Sequence, residues 1–376
     1  MQEPSSVVFI EGKEINMSNP IESKLNTPLR VVVLRDKKRE SLIKSASGGA
    51  FPVLARPILR AGGVVFGAEM LAGGVVEHTG VSTIDDLSRL QGSKYVQSEA
   101  CGTFPKCAEA LKKGNMVLWS GTPCQVFALR SYLERRGLER YAEKYLYTVD
   151  LICHGVTNPK LFKLYISWLE TKHGAIPGSL QYEFRSKRMG WGLNYYYRYL
   201  SVRDGRERSR FGFGDSDPYY AAFLEGKLYR QSCYSCKFAR GERVGDYTIG
   251  DYWGVQNEHP DFDYSNGASV LLINNTKAQQ FFDSFCTSEC VIEESNFESA
   301  SKANMNLVCP TCFCQSNKVL QKAVKDAMMN KDADTIFDKL LHVPFTKKRL
   351  FSNLKRLIRW LLPDCLVRSV KTIKGR

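Results

Sequence analysis

The stretch SCYSCKFARGERVGDYTIGDYWG, residues 232–254, sets Cys233 and Cys236 three positions apart, ahead of a run of Gly, Asp and aromatic residues. A C-x-x-C pair brings two thiolates onto one turn, where they can share a metal ion or the irons of a cluster. Alone, the pair reads equally well as half of a structural zinc site or as two buried thiols. Two more cysteines extend the set. Cys124 sits in SGTPCQ, between an expected strand and an expected helix, and Cys153 sits in DLICHG at a strand end. Gly and Pro turns at strand ends aim backbone amides at a bound group, and amide donors to sulfur tune a cluster's potential. Four thiolates are therefore available for one inorganic centre. Their spacing does not separate zinc from 4Fe-4S, because both accept four cysteines.

Other segments offer polar and basic groups. KSASGGAF (44–51) places Ser45, Ser47, Gly48 and Gly49 just before a helix, where free amides and the helix dipole can hold a phosphate. An ordinary N-cap and turn has the same composition. QGSKYVQS (91–98) supplies Lys94, Tyr95, Gln97 and Ser98 around a Gly turn, the mixture of phosphate donors, flat face and amide groups that a flavin dinucleotide needs. FRSKRMGWG (184–192) gathers Arg185, Lys187 and Arg188 beside Trp191, which suits a flat anion as well as it suits a solvated basic loop. His154, next to Cys153, is a candidate proton carrier or hydrogen-bonding neighbour, or a satisfied turn histidine.

The elements that must position these groups alternate in period, so the fold class is mixed α/β. Strands are expected at 29–36, 62–70, 116–120, 146–153, 180–186, 193–202, 246–253 and 268–275. Helices are expected at 51–61 with a kink at Pro57, and at 83–90, 104–114, 125–136, 159–173, 217–224 and 278–285. The pattern implies two lobes with mixed sheets flanked by helices: an extension over 1–27, domains over 28–115 and 116–300, and a basic helical tail over 301–376. With 376 residues the chain can bury a sizeable core, so its twelve cysteines need not be disulfide staples. No secretory leader and no apolar run of about 20 residues is evident. A cytoplasmic location is expected. The net charge of +14 suits an anionic partner without choosing one.

Taken in order and spacing, KSASGGAF, GGVVFGA, GSKYVQS, SGTPCQ, TVDLICHGV, FRSKRMGW and SCYSCKF…VGDYTIGDYWG resemble the coenzyme F-420 hydrogenase/dehydrogenase beta-subunit family over about residues 30–275. The resemblance implies an iron–sulfur flavoprotein with one FAD and one 4Fe-4S cluster, and so favours iron over zinc. It implies Cys124, Cys153, Cys233 and Cys236 as cluster ligands and Ser47, Gly48, Gly49, Lys94, Tyr95 and Gln97 as flavin neighbours. Arg185 and Lys187 then become candidates for holding an acidic, deazaflavin-like substrate. Two departures stand out. Ser45-Ala46-Ser47 replaces the family's consecutive serines, and residues 1–40 carry no cysteine, whereas many bacterial relatives have a ferredoxin-like module there. Electrons are then expected from a separate redox partner such as a ferredoxin or a dehydrogenase or hydrogenase subunit.

Two segments lie outside the resemblance. VCPTCFC adds Cys309, Cys312 and Cys314 to Cys286 and Cys290, as a second metal centre or as incidental thiols. The tail, 346–376, has an apolar helical stripe opposite Lys and Arg faces, which fits peripheral contact with the inner face of a membrane or packing on the protein's own core. It absorbs much of the positive charge, so nucleic acid is not the expected partner. The rival readings are a subunit that only relays electrons, and a zinc-stabilised module binding nucleic acid by base stacking.

Overall fold

The computed structural model describes residues 21–312 and 314–344, the strand pair within 7–16, and residues 346, 353, 354 and 356. Thirteen strands are assigned among them: β1 (Val7–Ile10), β2 (Lys13–Asn16), β3 (Arg30–Asp36), β4 (Val64–Leu71), β5 (Val75–Val81), β6 (Val117–Gly121), β7 (Leu146–Leu151), β8 (Gln181–Phe184), β9 (Asn194–Leu200), β10 (Glu207–Phe213), β11 (Tyr247–Asp251), β12 (Ser269–Ile273) and β13 (Cys290–Ser295).

Eight of them form one mixed sheet in the order β13-β3-β12-β11-β7-β6-β4-β5. Its centre is parallel, β11 with β7, β7 with β6 and β6 with β4, and antiparallel strands close both sides. β3, from before residue 115, lies between β13 and β12, both from after it, so the two sides of that position share this sheet. Val31–Leu34 of β3 and the whole of β12 are buried, as continuous apolar runs must be when helices cover both faces. The helix Ala50–Arg60 packs on β3, β4 and β6, and it runs through Pro57. A second, antiparallel sheet, β10-β9-β8, packs with the helix Pro159–His173 on an aromatic core that includes Phe162, Tyr165, Tyr182 and Tyr219.

The sequence pattern finds most elements to within two or three residues. The turn of helix expected at 83–90 is a 3-10 helix over Asp85–Arg89. β10, ERSRFGF, escapes the pattern because five of its seven residues are exposed, leaving no apolar alternation to read. The tail helix expected within 346–376 lies outside the described residues. Among the described residues no helix is long and apolar enough to cross a membrane.

Candidate functional site

In a parallel sheet the C-terminal ends of all strands face one edge, and the loops leaving that edge are the usual ligand-binding position. β6 ends at Gly121 and its loop delivers Cys124. β7 ends at Leu151 and delivers Cys153 and His154, and β11 ends at Asp251.

Thr122 caps the helix Pro123–Glu134 through a capping box with Gln125, so Cys124 lies in the first helical turn. Its Sγ is 3.2 Å from the Thr122 Oγ1. Cys153 follows two residues after β7, and its sulfur accepts a hydrogen bond from the Gly155 amide. Gly155 has φ +141°, and a Cβ there would stand 2.4 Å from the Tyr229 ring, so only glycine fits this turn.

The loop after helix Pro218–Leu224 brings in Cys233 and Cys236. The Val156 amide bonds to the Cys233 sulfur, and the Phe238 and Ala239 amides bond to the Cys236 sulfur. Burial pushes the Cys153 thiol up. It does the same at Cys233 and Cys236, and the charges of the companion thiols add to the rise at each: Cys124, Cys233 and Cys236 at Cys153, Cys124 and Cys236 at Cys233, and Cys124 at Cys236. Residues 124, 153, 233 and 236 therefore lie within electrostatic reach of one another. Among the described residues no three His, Cys, Asp or Glu side chains gather tightly enough to clasp a single metal ion.

The other cysteines separate. Cys286 and Cys290 are buried near Arg56, and the Cys290 thiol, pushed up to about 12 by burial, donates to the Cys286 carbonyl at 3.3 Å. The Cys309–Cys314 segment abuts the first group, since the Thr311 hydroxyl donates to the His154 carbonyl at 2.9 Å.

A chain of contacts joins this group to the polar segments. Tyr229, whose hydroxyl feels Cys153, Cys233 and Tyr95, packs on Phe223 with ring centroids 5.1 Å apart, and Phe223 stacks on Tyr95 at 4.3 Å. His154 is exposed at its surface, yet enough protein surrounds the imidazole for burial to lower its pKa. Asp251 opposes the lowering and Arg185 adds to it. Arg185 is 3% exposed and adopts φ +59°. Its guanidinium donates to both Asp251 oxygens at 2.7 and 2.6 Å, to the Gly192 carbonyl at 2.8 Å, to the Ala46 carbonyl at 3.2 Å and to the Tyr95 hydroxyl at 3.3 Å. Lys187 is also buried and donates to the Leu42 and Ser47 carbonyls, both at 2.6 Å. These two cations brace the glycine-rich loop from behind.

The loop's glycines answer to packing as well. A Cβ at Gly48 would lie 2.1 Å from the Leu34 carbonyl oxygen, so the backbone here presses against β3. The Ser47 hydroxyl donates to the Ala268 carbonyl, and the Ser45 hydroxyl donates to the Ser41 carbonyl while accepting from Gln91. Lys94 donates to the Leu90 and Gln91 carbonyls at 3.1 and 2.6 Å. Desolvation takes the pKa of both Lys94 and Lys187 down to about 7, with Arg185 adding to the effect at Lys187. Among the described residues both ammonium groups are hydrogen-bonded to carbonyls, while the charge of Glu69 acts on Lys94 and those of Asp251 and Asp36 act on Lys187. A cavity of about 320 Å³ next to the start of the glycine-rich loop is lined by both signs of charge, among them Lys38, Glu40, Lys44, Arg56 and Asp85. Gln97 accepts from Arg230, and the Ser98 hydroxyl and carbonyl both accept from Gln125 at 3.1 Å, which links this segment to the Cys124 helix.

His78 escapes the sequence reading. It is 7% exposed, its ring stacks on Trp119 at 4.8 Å, and its Nε2 donates to the Ser120 carbonyl at 2.9 Å, fixing the strand end ahead of Cys124. Its Nδ1 is enclosed and has no partner among the described residues. Only the pairing of β4 with β5 and β6 brings it there, and no motif marks it.

Residues 114–299 match the family model for the carboxy-terminal region of the coenzyme F420 hydrogenase/dehydrogenase beta subunit. A chain of the xenon-derivatised F420-reducing NiFe hydrogenase complex from Methanosarcina barkeri is similar at 18% identity and TM-score 0.48, over 83% of this chain and 92% of that one. No curated protein matches. Through residues 114–299, which carry all four coupled cysteines, the chain belongs to the coenzyme F420 hydrogenase/dehydrogenase beta-subunit family, a family of redox-enzyme subunits.

Proposed function

We propose that the protein is an iron–sulfur flavoprotein oxidoreductase that exchanges electrons between a 4Fe-4S cluster on Cys124, Cys153, Cys233 and Cys236 and an FAD near Lys94, Tyr95 and the glycine-rich loop, acting on a small, anionic substrate. The observation that carries this reading is the coupling of four thiols drawn from three separate loops, with backbone amides aimed at three of the sulfurs. Four thiolates suit a single zinc as well as a cluster, and the match to a family of redox-enzyme subunits is what favours iron.

When bound, a flavin takes up two electrons together and gives them up singly, which suits it to exchange with a one-electron cluster. The chain's own residues prepare that exchange. The amides of Gly155, Val156, Phe238 and Ala239 stabilise charge on sulfur. Lys94 and Lys187, near neutrality, are poised to take full charge beside a phosphate. Arg185 and Asp251 neutralise each other while fixing Ala46 and Tyr95. Neutral His154, at the surface next to Cys153, is placed to accept or return a proton.

Anaerobic purification followed by iron, acid-labile sulfide and flavin analysis tests the reading. Yellow-brown protein that bleaches with dithionite and loses its iron on Cys153→Ser or Cys236→Ser is the expected result. Colourless protein carrying zinc overturns it. A loaded protein that turns over no small acceptor but exchanges electrons with a bound redox partner would keep the cofactors and remove the substrate.

A further inference from the structure

The basic loop 184–192 divides its cations. Arg185 and Lys187 turn inward, whereas Arg188 is exposed, with its guanidinium 4.0 Å from the ring centroid of Tyr196. The register of the small sheet sets Glu183 opposite Tyr196 and Tyr196 opposite Phe211, and Gln181 opposite Arg198. Opposed residues share a face, so Tyr196, Phe211 and Arg198 stand together with Arg188 over them. Phe211 is 55% exposed, a large apolar group to leave open to solvent. Between this sheet, the β4–β5 turn and Ile166 lies a cavity of about 560 Å³ whose wall includes Met70, Leu71, Tyr196, Arg188 and Arg198. It adjoins the cavity beside the glycine-rich loop, since Ser88 lines both.

We infer that this cavity binds a nucleotide, its base stacked on the outer face of the Arg188–Tyr196 pair and its phosphate on Arg198. A planar guanidinium seated on an aromatic ring offers a second flat face for a base. The apolar wall formed by Met70, Leu71 and Ile166 suits the base's other face, and the volume lies within the range of small-ligand sites. Arg198 now bonds Gln181 and Glu207, both exposed, and surface pairs of this kind exchange for a phosphate at little cost. The turn at residues 70–74 closes one side, which favours a discrete nucleotide over a passing strand. One chemistry, a base carrying phosphate, has two sources here: the adenylate end of the FAD proposed above, in which case the inference rests on that reading, or a separate nucleotide.

The full chain is titrated with AMP and with adenosine by calorimetry, alongside Arg188→Gln, Tyr196→Ala and Arg198→Gln, with flavin content and melting temperature recorded for each. Stacking is worth about 1–3 kcal/mol per base, so the first two changes should weaken AMP by about tenfold or more, or deplete bound flavin to match. Arg198→Gln should weaken AMP and leave adenosine unchanged. Flavin loss from stably folded variants identifies the cofactor's adenylate as the occupant. Normal flavin with weakened AMP identifies a separate nucleotide. Variants that match the wild type in both AMP affinity and flavin content overturn the inference, as does polyuridylate binding more tightly than AMP and being lost in the same variants. Iron content is set by the cysteines alone, so its absence would instead count against the functional reading.

Discussion

Replacing Asp251 by Ala isolates one buried guanidinium. The side chains of Arg185 and Asp251 are 1% and 16% exposed, joined by two hydrogen bonds of 2.7 and 2.6 Å, with a third to Asp251 from Trp191 Nε1 at 3.0 Å. Removing the carboxylate leaves a charge that the Gly192 and Ala46 carbonyls and the Trp253 ring, 5.0 Å away, compensate only in part. Breaking such a pair from one side costs about 3–5 kcal/mol. With an unfolding entropy of about 2.1 cal/mol/K per residue, that is a melting point lower by roughly 4–7 °C if the ordered chain unfolds as one unit. Circular dichroism melts give the shift, and urea titration gives the free energy. The double change Arg185→Met with Asp251→Leu should recover much of the loss, because it removes the stranded charge rather than exposing it. A single variant within 1 kcal/mol of wild type, or a double variant as unstable as the single, would refute the argument that Arg185 depends on Asp251.

Gly155→Ala pushes a methyl into Tyr229 at φ +141°, so the Cys153 turn must shift; iron content should fall while far-UV circular dichroism is retained, and unchanged iron would contradict the tight turn. Burial lifts Asp217 to about 6 against hydrogen bonds from Tyr165, the Tyr220 amide and Tyr182, so the folded state keeps a proton the unfolded chain has lost, and its contribution to stability falls as pH rises from about 4 to 6. Burial lowers His78 to about 4, so the unfolded chain takes up the proton first and this contribution falls as pH drops from about 6.5 to 4. Each pKa unit is worth about 1.4 kcal/mol, so Asp217→Asn should make stability rise more steeply with pH across that window and His78→Phe less steeply; curves parallel to wild type would refute both assignments. FAD binding at pH 8 should take up protons, because a phosphate beside Lys94 and Lys187 raises pKa values now near 7; calorimetry in buffers of different ionisation enthalpy measures it, and buffer-independent heats would place the phosphate elsewhere.

The sequence reads best where one residue type has one use. Cys124 and Cys153 stand out because they sit beside Gly and Pro at strand ends, and Cys233 and Cys236 because C-x-x-C places two thiols on one turn. It reads worst where a side chain has two. The cationic loop and the glycine-rich loop each admit a ligand contact or a packing contact by composition. Arg185, Lys187 and Gly48 prove to be engaged with Asp251, loop carbonyls and β3, whereas Arg188, of the same type three residues on, faces outward.

Local pattern by itself determined most of the central strands, most of the longer helices and the thiol inventory, because period, capping and turn chemistry act over a few residues. Tertiary structure alone decided that β4, β6, β7 and β11 run the same way, so that loops far apart in the chain leave one edge of the sheet. The same pairing set His78 beneath Ser120. Those outcomes depend on strand order, which burial of both sheet faces selects globally and which no short window of sequence contains.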